Sequence, residues 1–231
     1  FFVNKNQKKY RVDQVLDWVW NKGVDNFSQM SNLSDNLRNL LNKEFVLNKP
    51  IEIKSYKSID GTIKYSIQLY DKNFIEAVLI PSKNRITACI SSQVGCSLDC
   101  KFCATSRLIR KRNLLFYEIF DQLFYLNEQS KFYFKRKISN VVFMGMGEPL
   151  LNYKNVVKAI KKMKMKCGLK FSAKKITIST SQVSPCPGRT KTSSLRRTSP
   201  RLFRRCLCDF FFSFKKSQNL VLDSNILLRL L

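Results

Sequence analysis

Three cysteines, Cys96, Cys100 and Cys103, lie together in the stretch CSLDCKFC with the spacing C-x3-C-x2-C. Three thiolates on one loop can bind three irons of a 4Fe-4S cluster and leave the fourth iron open to a substrate. A structural zinc site needs four ligands, and the chain contains no histidine. Cys89 is the nearest residue that could supply a fourth thiolate, so the spacing alone leaves a four-cysteine zinc site open as an alternative.

A second motif, MGMGEPLLNY, follows a stretch with the pattern of a buried strand. Gly145 and Gly147 let the backbone approach a ligand closely, and Glu148 offers a carboxylate that can accept hydrogen bonds from an ammonium group. In barrel enzymes, the loops at the carboxyl ends of the strands form the active site. The glycine loop comes one predicted helix after the cysteine loop, so the two segments together indicate a ligand site.

The composition favours a polyanionic partner. The 231 residues include 42 Lys and Arg against 16 Asp and Glu, a formal net charge of +26, and such an excess attracts RNA or DNA. An AT-rich genome would give similar lysine richness without that function, so this alternative stays open. The sequence shows no apolar run near the ~18 residues of a membrane helix and no signal peptide. These features predict a cytoplasmic protein, in which cysteines serve metal or redox chemistry rather than disulfides.

The elements that must position these loops follow from hydrophobic periodicity. Helical spacing predicts two short helices, one over Tyr10 to Trp20 and one around Leu33 to Leu41. Alternating apolar residues after the Asp60-Gly61 turn signal predict a hairpin. The stretch Phe74 to Ile80 predicts a third strand. These elements form a small helical and β-hairpin module at the N-terminus.

From Arg85 onward, strands alternate with helices. The predicted order is strand, helix, strand, helix, strand, which is typical of the beginning of a parallel barrel or a doubly wound sheet. The strands are predicted over 85–91, 141–144 and 174–181, and the helices over 114–129 and 152–164.

The composition changes abruptly near Ser181. Lysine is the preferred cation before it, whereas arginine with clustered Ser, Thr and Pro follows. A disordered basic tail would not explain the apolar stretches CLCDFFFSF and ILLRLL, so translation in a wrong frame is the favoured interpretation and a genuine tail the alternative. The sequence therefore predicts three parts: an accessory module over 1–84, a core over 85–181, and an out-of-frame or disordered tail over 182–231.

The two motifs together resemble the radical S-adenosylmethionine (SAM) enzymes, in which the amino and carboxylate groups of SAM chelate the fourth iron. The resemblance implies that the three cysteines of CSLDCKFC hold a 4Fe-4S cluster. It also implies that Gly147, Glu148 and Pro149 bind the SAM amino group. Phe102 stands where the family has an aromatic residue near the adenine.

Longer stretches narrow the resemblance. The segments ACISSQVGCSLDCKFCATS, NVVFMGMGEPLLNYKNVVKAI and KKITISTS are similar to the C2-methyladenosine RNA methyltransferases. Those enzymes modify an adenosine in 23S rRNA at the peptidyl-transferase centre and adenosine 37 of some tRNAs. The similarity runs from Tyr10 to Ser181. It implies an α/β fold, a partial radical-SAM (β/α) barrel preceded by an RNA-binding helical and hairpin module, and it assigns a further SAM contact to Ser179.

The resemblance also implies a mechanism. The C2 carbon of adenine is not nucleophilic, so one SAM methylates a cysteine near the C-terminus and a second generates a radical that takes a hydrogen from that methyl group. The resulting carbon radical adds to C2, a base removes the C2 proton, and a second cysteine resolves the protein–RNA bond by thiolate attack. The base corresponds to Glu76 and the resolving cysteine to Cys89. Without the resemblance, Glu76 would be a solvent-facing carboxylate and Cys89 a core residue or zinc ligand.

The family further implies 23S rRNA and tRNA as partners, an electron donor such as flavodoxin or ferredoxin, and a monomer. Two alternatives stay open: a C8-methylating relative, and a non-catalytic basic RNA-binding protein with a four-cysteine zinc site. After Ser181 the family pattern stops, and Cys186, Cys206 and Cys208 have no matching context, so the methyl-carrying cysteine is unassigned. The chain is therefore expected to be a truncated or frameshifted, inactive version.

Overall fold

A computed structural model of the chain describes residues 1–2, 7–8, 10–47, 51–98, 100–101, 103–165 and 169–181. None of the helices in these ranges is both long and apolar enough to span a membrane. Several positions considered above lie outside the described residues, namely Phe102 and the segment 182–231 with Cys186, Cys206 and Cys208.

Two helical segments open the fold, as the periodicity predicts. Helix α1 spans Tyr10–Asp17 and continues directly into a π-helical turn, Trp18–Lys22. Helix α2 spans Asp35–Glu44. The π-helical turn ends at Gly23, whose φ of 66° is in the left-handed region that glycine adopts without steric cost.

A six-stranded mixed sheet forms the centre of the described fold, and a two-stranded ribbon lies beside it. The strands in chain order are β1 (Ile51–Lys57), β2 (Ile63–Gln68), β3 (Phe74–Pro81), β4 (Ile86–Cys89), β5 (Gln93–Val94), β6 (Arg112–Asn113), β7 (Asn140–Phe143) and β8 (Ile176–Ile178). The large sheet has the order β1-β2-β3-β4-β7-β8, and the ribbon pairs β5 with β6.

The first half of the large sheet is an antiparallel meander. Strands β1 and β2 form the predicted hairpin, and Asp60 stabilises its turn by accepting hydrogen bonds from the N–H of Thr62 at 3.0 Å and its hydroxyl at 2.9 Å. Strand β3 then pairs antiparallel with both β2 and β4. The sheet is therefore continuous across residue 84, where the sequence predicts a boundary.

The second half of the sheet is parallel, as predicted for a β-α-β-α-β unit. Strands β4, β7 and β8 run in the same direction, and the crossover helices are α3, Phe116–Phe134, and α4, Tyr153–Lys164. Helix α3 runs past the predicted end at Gln129 until Lys135 adopts a left-handed φ of 52°. This arrangement confirms the α/β class and the first part of a (β/α) barrel.

The two faces of the sheet differ in burial because side chains alternate along each strand. One face packs against α3: the ring of Tyr65 meets that of Tyr125 edge-on, with centroids 5.4 Å apart, and Leu79 and Phe143 on the same face are also buried. The opposite face carries exposed side chains such as Glu76 and Thr177. Among the described residues, this second face is open.

Trp20 anchors the N-terminal helices to the core. Its ring centroid lies 5.1 Å from that of Phe120 and 6.1 Å from that of Phe116, both on α3, and the Lys162 ammonium of α4 lies 4.5 Å from its ring centroid. Gly23 packs so closely on Phe124 that a Cβ there would lie 2.3 Å from the ring. The N-terminal helices and the sheet therefore share one hydrophobic core.

Candidate functional site

The ribbon β5-β6 closes the base of the cysteine loop. Strand β5 precedes the first cysteine and β6 follows the third, and the two strands pair antiparallel. Inside this base, Cys96 forms an isolated β-bridge with Ile109. Gly95 has a φ of 73°, and a Cβ on it would lie 2.3 Å from the carbonyl oxygen of Ile109. The two ends of the loop thus approach so closely that only glycine fits at this position.

Cys96, Cys100 and Cys103 are free thiols of intermediate exposure within this loop. The N–H of Leu98 donates to the Cys96 sulfur at 3.5 Å, and the N–H of Cys103 donates to the Cys100 carbonyl at 2.9 Å. Three thiolates are a donor set that suits iron–sulfur clusters, so the residue types fit the predicted group. In the part of the chain that the structure describes, no three His, Cys, Asp or Glu side chains converge on a common ion position.

The glycine loop follows β7 and packs directly on the chain segment that follows β4. A Cβ on Gly145 would lie 2.8 Å from the Ile90 carbonyl, and a Cβ on Gly147 would lie 2.4 Å from the Gln93 Cβ. Gly147 also has a φ of 93°, which disfavours any other residue. The carbonyl of Met146 accepts hydrogen bonds from two N–H groups of the facing segment, at 2.8 and 3.2 Å.

Two buried polar side chains, Ser91 and Gln93, join the two loops. The Ser91 hydroxyl accepts from the N–H of Met146 at 2.8 Å. Gln93 accepts from the N–H of Glu148 at 2.8 Å and donates to the Asn113 side chain in β6 at 2.7 Å. Sequence analysis missed both residues, although polar side chains directly after a buried strand were the signal that could have revealed them.

Asn152 ties the same elements together from the other side. Its side-chain amide donates at 2.7 Å to the carbonyls of both Ser92 and Leu114, and its oxygen accepts from Asn155 at 2.8 Å. It is 3% exposed. This side chain therefore connects the end of the glycine motif to the segments on either side of the cysteine loop, a role that no sequence pattern indicated.

The Glu148 carboxylate is buried at the carboxyl ends of the parallel strands, at 4% exposure. One oxygen accepts from the N–H of Leu150 at 3.1 Å, and the other accepts from the N–H and hydroxyl of Ser181 at 3.1 and 3.3 Å. Ser179 follows β8 at the same edge and is exposed. The neighbouring Thr180 hydroxyl is buried without a hydrogen-bond partner among the described residues. A buried carboxylate fits a polar, cationic ligand group.

Glu76 and Cys89 lie on the open face of the sheet. Val78 is the register partner of Cys89, so Glu76 is its diagonal neighbour, with Cα atoms about 7–8 Å apart. Burial raises the pKa of the Cys89 thiol, and a hydrogen bond from the Met144 N–H offsets this only in part. The Glu76 carboxylate accepts from Lys64 at 2.7 Å. The sheet therefore brings the two predicted catalytic residues together, beside the start of the glycine loop.

Arg112 forms an ionic cluster that sequence analysis also missed. Its guanidinium donates to Asp71 at 2.6 Å and to both carboxylate oxygens of Glu118 at 2.8 and 2.7 Å. Hydrogen bonds to Glu118 and Asp71 raise the pKa of Arg112, despite burial. Burial alone would raise the pKa of Asp71, but hydrogen bonds from Arg112 and Asn73 outweigh it and lower that pKa to about 2. The cluster fastens the end of the cysteine loop to the β2–β3 turn and to the start of α3.

The fold and the two loops define a radical SAM protein. Residues 90–189 match the family model of the Radical SAM superfamily. A crystal structure of a radical SAM methyltransferase from Sphaerobacter thermophilus is similar with a TM-score of 0.72 and 31% identity, over 79% of this chain and 53% of that chain. Residues 1–47 match the Ribosomal RNA large subunit methyltransferase N-terminal domain. Both parts of the chain are therefore similar to RlmN-type radical SAM RNA methyltransferases, as the motifs predict.

Individual curated relatives are RNA methyltransferases of the same type. The chain is 51% identical to the probable dual-specificity RNA methyltransferase RlmN of Flavobacterium psychrophilum, over 80% of this chain and 53% of that protein. It is 49% identical to the dual-specificity RNA methyltransferase RlmN of Buchnera aphidicola subsp. Cinara cedri, over 80% of this chain and 53% of that protein. The chain thus spans about half the length of the curated relatives it matches.

Proposed function

We propose that this chain represents a SAM-dependent enzyme that methylates C2 of adenosine in 23S rRNA and in tRNA, at adenosine 37. The observation that carries the proposal is the hydrogen bond that connects the two loops. The side chain of Gln93 accepts it from the N–H of Glu148 at 2.8 Å, and the segment that contains Gln93 leads into the cysteine loop. This hydrogen bond keeps the loop with the three thiols and the buried Glu148 carboxylate at the same edge of the parallel strands. The similarity to RNA methyltransferases supports RNA as the substrate class.

The cofactors we propose are a 4Fe-4S cluster on Cys96, Cys100 and Cys103, and SAM. When bound, they supply the radical that activates an otherwise inert methyl group. Glu148, with Gly147 and Ser179 at the same edge, is assigned to orient SAM through its amino group. The buried carboxylate suits an ammonium partner because a charge-assisted hydrogen bond offsets the cost of its burial.

Glu76 is proposed as the base that removes the C2 proton, and Cys89 as the thiol that releases the methylated RNA. Lys64 donates to the Glu76 carboxylate and holds it on the open face. The raised pKa keeps Cys89 a neutral thiol at ordinary pH. It therefore has to give up its proton before it attacks as a thiolate.

We further propose that residues 1–84 bind RNA, that 85–181 form the radical SAM core and that 182–231 are an out-of-frame or disordered tail. The enzyme would act in the cytoplasm as a monomer and receive electrons from flavodoxin or ferredoxin. Continuity of the sheet across residue 84 supports an accessory module that is held rigidly against the core.

The first test is the metal content. Protein prepared without oxygen should contain about 4 iron and 4 sulfide per chain, and alanine at Cys96, Cys100 or Cys103 should remove them. Cys89→Ala is the matched control and should keep the cluster, because Cys89 lies on β4 outside the loop. Zinc in the parent protein, lost together with Cys89, would instead support the zinc-binding alternative.

The second test is the product. Nucleoside mass spectrometry of RNA from a host that lacks this methylation separates C2-methyladenosine from the C8 isomer when the host carries the full-length enzyme. Glu76→Gln should abolish the product but leave the iron content unchanged. A C8 product would assign the chain to the alternative branch of the same chemistry.

A further inference from the structure

The C-terminal end of α3 carries the run KFYFKRK, from Lys131 to Lys137, which the proposed active site does not use. Phe132 and Tyr133 in this run are 67% and 44% exposed. Their rings meet edge-to-face with centroids 5.0 Å apart. Aromatic side chains usually bury most of their surface in a core, so two adjacent exposed rings form a candidate contact surface.

One lysine ammonium group lies near each of these two rings. The Lys135 ammonium lies 5.7 Å from the centroid of Phe132, and the Lys57 ammonium, from β1, lies 5.9 Å from the centroid of Tyr133. We call Lys57, Phe132, Tyr133 and Lys135 the aromatic–basic patch. Flat rings flanked by lysines are the combination with which proteins bind unpaired nucleic acid, through base stacking and phosphate contacts.

A cavity of about 380 Å³ lies along the last turns of α3 before the patch, and its lining includes Lys131, Lys137 and Lys170. Glu128 neutralises Lys131 through an ion pair of 2.6 Å. Among the described residues, no hydrogen bond or ion pair is made by the side chains of Lys137 or Lys170, so both ammonium groups are available to an anion. The cavity is of the size that holds small ligands, and its charge suits phosphate.

The patch and the cavity lie far from the cysteine loop. Lys137 precedes β7, whereas the glycine loop follows β7, so the two sites are at opposite ends of the parallel strands. The N-terminus of α3 adjoins the base of the cysteine loop, and the 19 residues of this helix span about 28 Å. A ligand at the patch therefore does not compete with the reacting adenosine.

We propose that the aromatic–basic patch and the cavity bind an unpaired stretch of the substrate RNA, at the end of α3 that is remote from the cysteine loop. This inference rests on the proposed function and specifies its substrate: a structured RNA with a single-stranded segment outside the part that holds the reacting adenosine. Bases stack on Phe132 and Tyr133, and phosphates bind Lys135, Lys137 and Lys170. An unpaired strand fits better than a duplex because stacking on the rings requires splayed bases.

The test measures binding of the 231-residue chain to a fluorescent 12-nucleotide oligouridine and to an RNA duplex of 12 base pairs, over a series of salt concentrations. The double variant Phe132→Leu/Tyr133→Leu should bind the single strand at least about fivefold more weakly, the lower limit for losing base stacking, and the duplex equally well. Lys137→Gln/Lys170→Gln should flatten the log–log salt dependence for the single strand by about 1.4, since each lost phosphate contact contributes about 0.7.

A matched control removes lysines elsewhere on the surface. Lys154→Gln/Lys174→Gln removes two exposed lysines outside the patch and the cavity. This control should leave the affinity and its salt slope within about twofold of the parent. Thermal unfolding of each variant confirms that the mutated surface is folded.

The outcomes separate this inference from the proposed function. If the parent protein and the patch variants bind single-stranded RNA equally well, the patch is not an RNA-binding surface. That result would leave the proposed enzymatic function intact. If Phe132→Leu/Tyr133→Leu loses the same affinity for the single strand and for the duplex, bases do not stack on these rings. The surface would then contact phosphates only. Absence of any RNA binding by the parent would count against the RNA-modifying function itself.

Discussion

Cys89 differs chemically from the three cysteines of the loop, because burial raises its pKa while the loop thiols are partly exposed. We expect iodoacetamide at pH ~8.5, near the ordinary thiol pKa, to label Cys96, Cys100 and Cys103 before Cys89. Peptide mass spectrometry after short labelling times measures the order. In urea all four should react at similar rates, and faster labelling of Cys89 in the folded protein would contradict its burial.

Asp71 makes stability depend on pH. Its pKa is lowered from 3.8 to about 2 in the folded protein, so its contribution is complete above about pH 4 and disappears as the pH falls towards 2. The shift corresponds to about 2 kcal/mol. Asp71→Asn should therefore lower the free energy of unfolding by about that amount at pH 7 and by much less near pH 2.

Urea unfolding at pH 7, 4 and 2.5 measures this dependence. Asp13→Asn, which removes an exposed carboxylate on α1, is the control and should change stability by less than about 0.5 kcal/mol. A loss for Asp71→Asn that stays equally large at pH 2.5 would show that the side chain acts by packing rather than by its charge.

At the level of elements, the glycine loop depends on how closely two backbone segments approach. Gly147 and Gly61 both have positive φ, 93° and 83°, so alanine strains the backbone at either position by ~1–2 kcal/mol. A Cβ at Gly147 would also lie 2.4 Å from Gln93, whereas at Gly61 the nearest atom, in Pro81, is 3.3 Å away. Gly147→Ala should therefore lower the free energy of unfolding by ~1–3 kcal/mol more than Gly61→Ala does.

The comparison uses the free energies of unfolding of the two alanine variants, so that the shared backbone strain cancels. SAM binding by calorimetry adds a second readout: Gly147→Ala should weaken it, whereas Gly61→Ala, in the turn of the β1–β2 hairpin, should not. Equal stability losses in the two variants would indicate that the glycine loop can move away from β5.

Local patterns predicted the elements better than the contacts between them. The spacing of CSLDCKFC, the Gly-x-Gly-Glu-Pro turn and the strand–helix alternation are all contained in short stretches of sequence. The bonds that join the loops connect residues far apart in the chain: 55 positions separate Gln93 from Glu148, and 60 separate Ser92 from Asn152. Those pairs depend on the register between β4 and β7, which hydrophobic periodicity does not specify.

At the scale of the whole molecule, the interpretation of residues 182–231 as out of frame makes a prediction of its own. The Radical SAM match ends at residue 189, and a barrel buries the open face of its sheet only when it closes. A longer chain with the frame restored after Ser181 should produce C2-methyladenosine in a methylation-null host, whereas the 231-residue chain should not. Methylated nucleoside from the 231-residue chain would show that residues 182–231 are functional.

The place of β4, between antiparallel β3 and parallel β7, has a consequence for how the protein is made. Strands β1 to β4 are close in sequence and can pair on the ribosome as soon as they emerge, but β7 and the glycine loop arrive later. Synthesis of the roughly 50 residues between Cys96 and Glu148 takes about 3–10 s. During that interval the segments on either side of the cysteine loop lack their bonds to Glu148 and Asn152, so the loop is not yet fastened to the sheet while translation is under way.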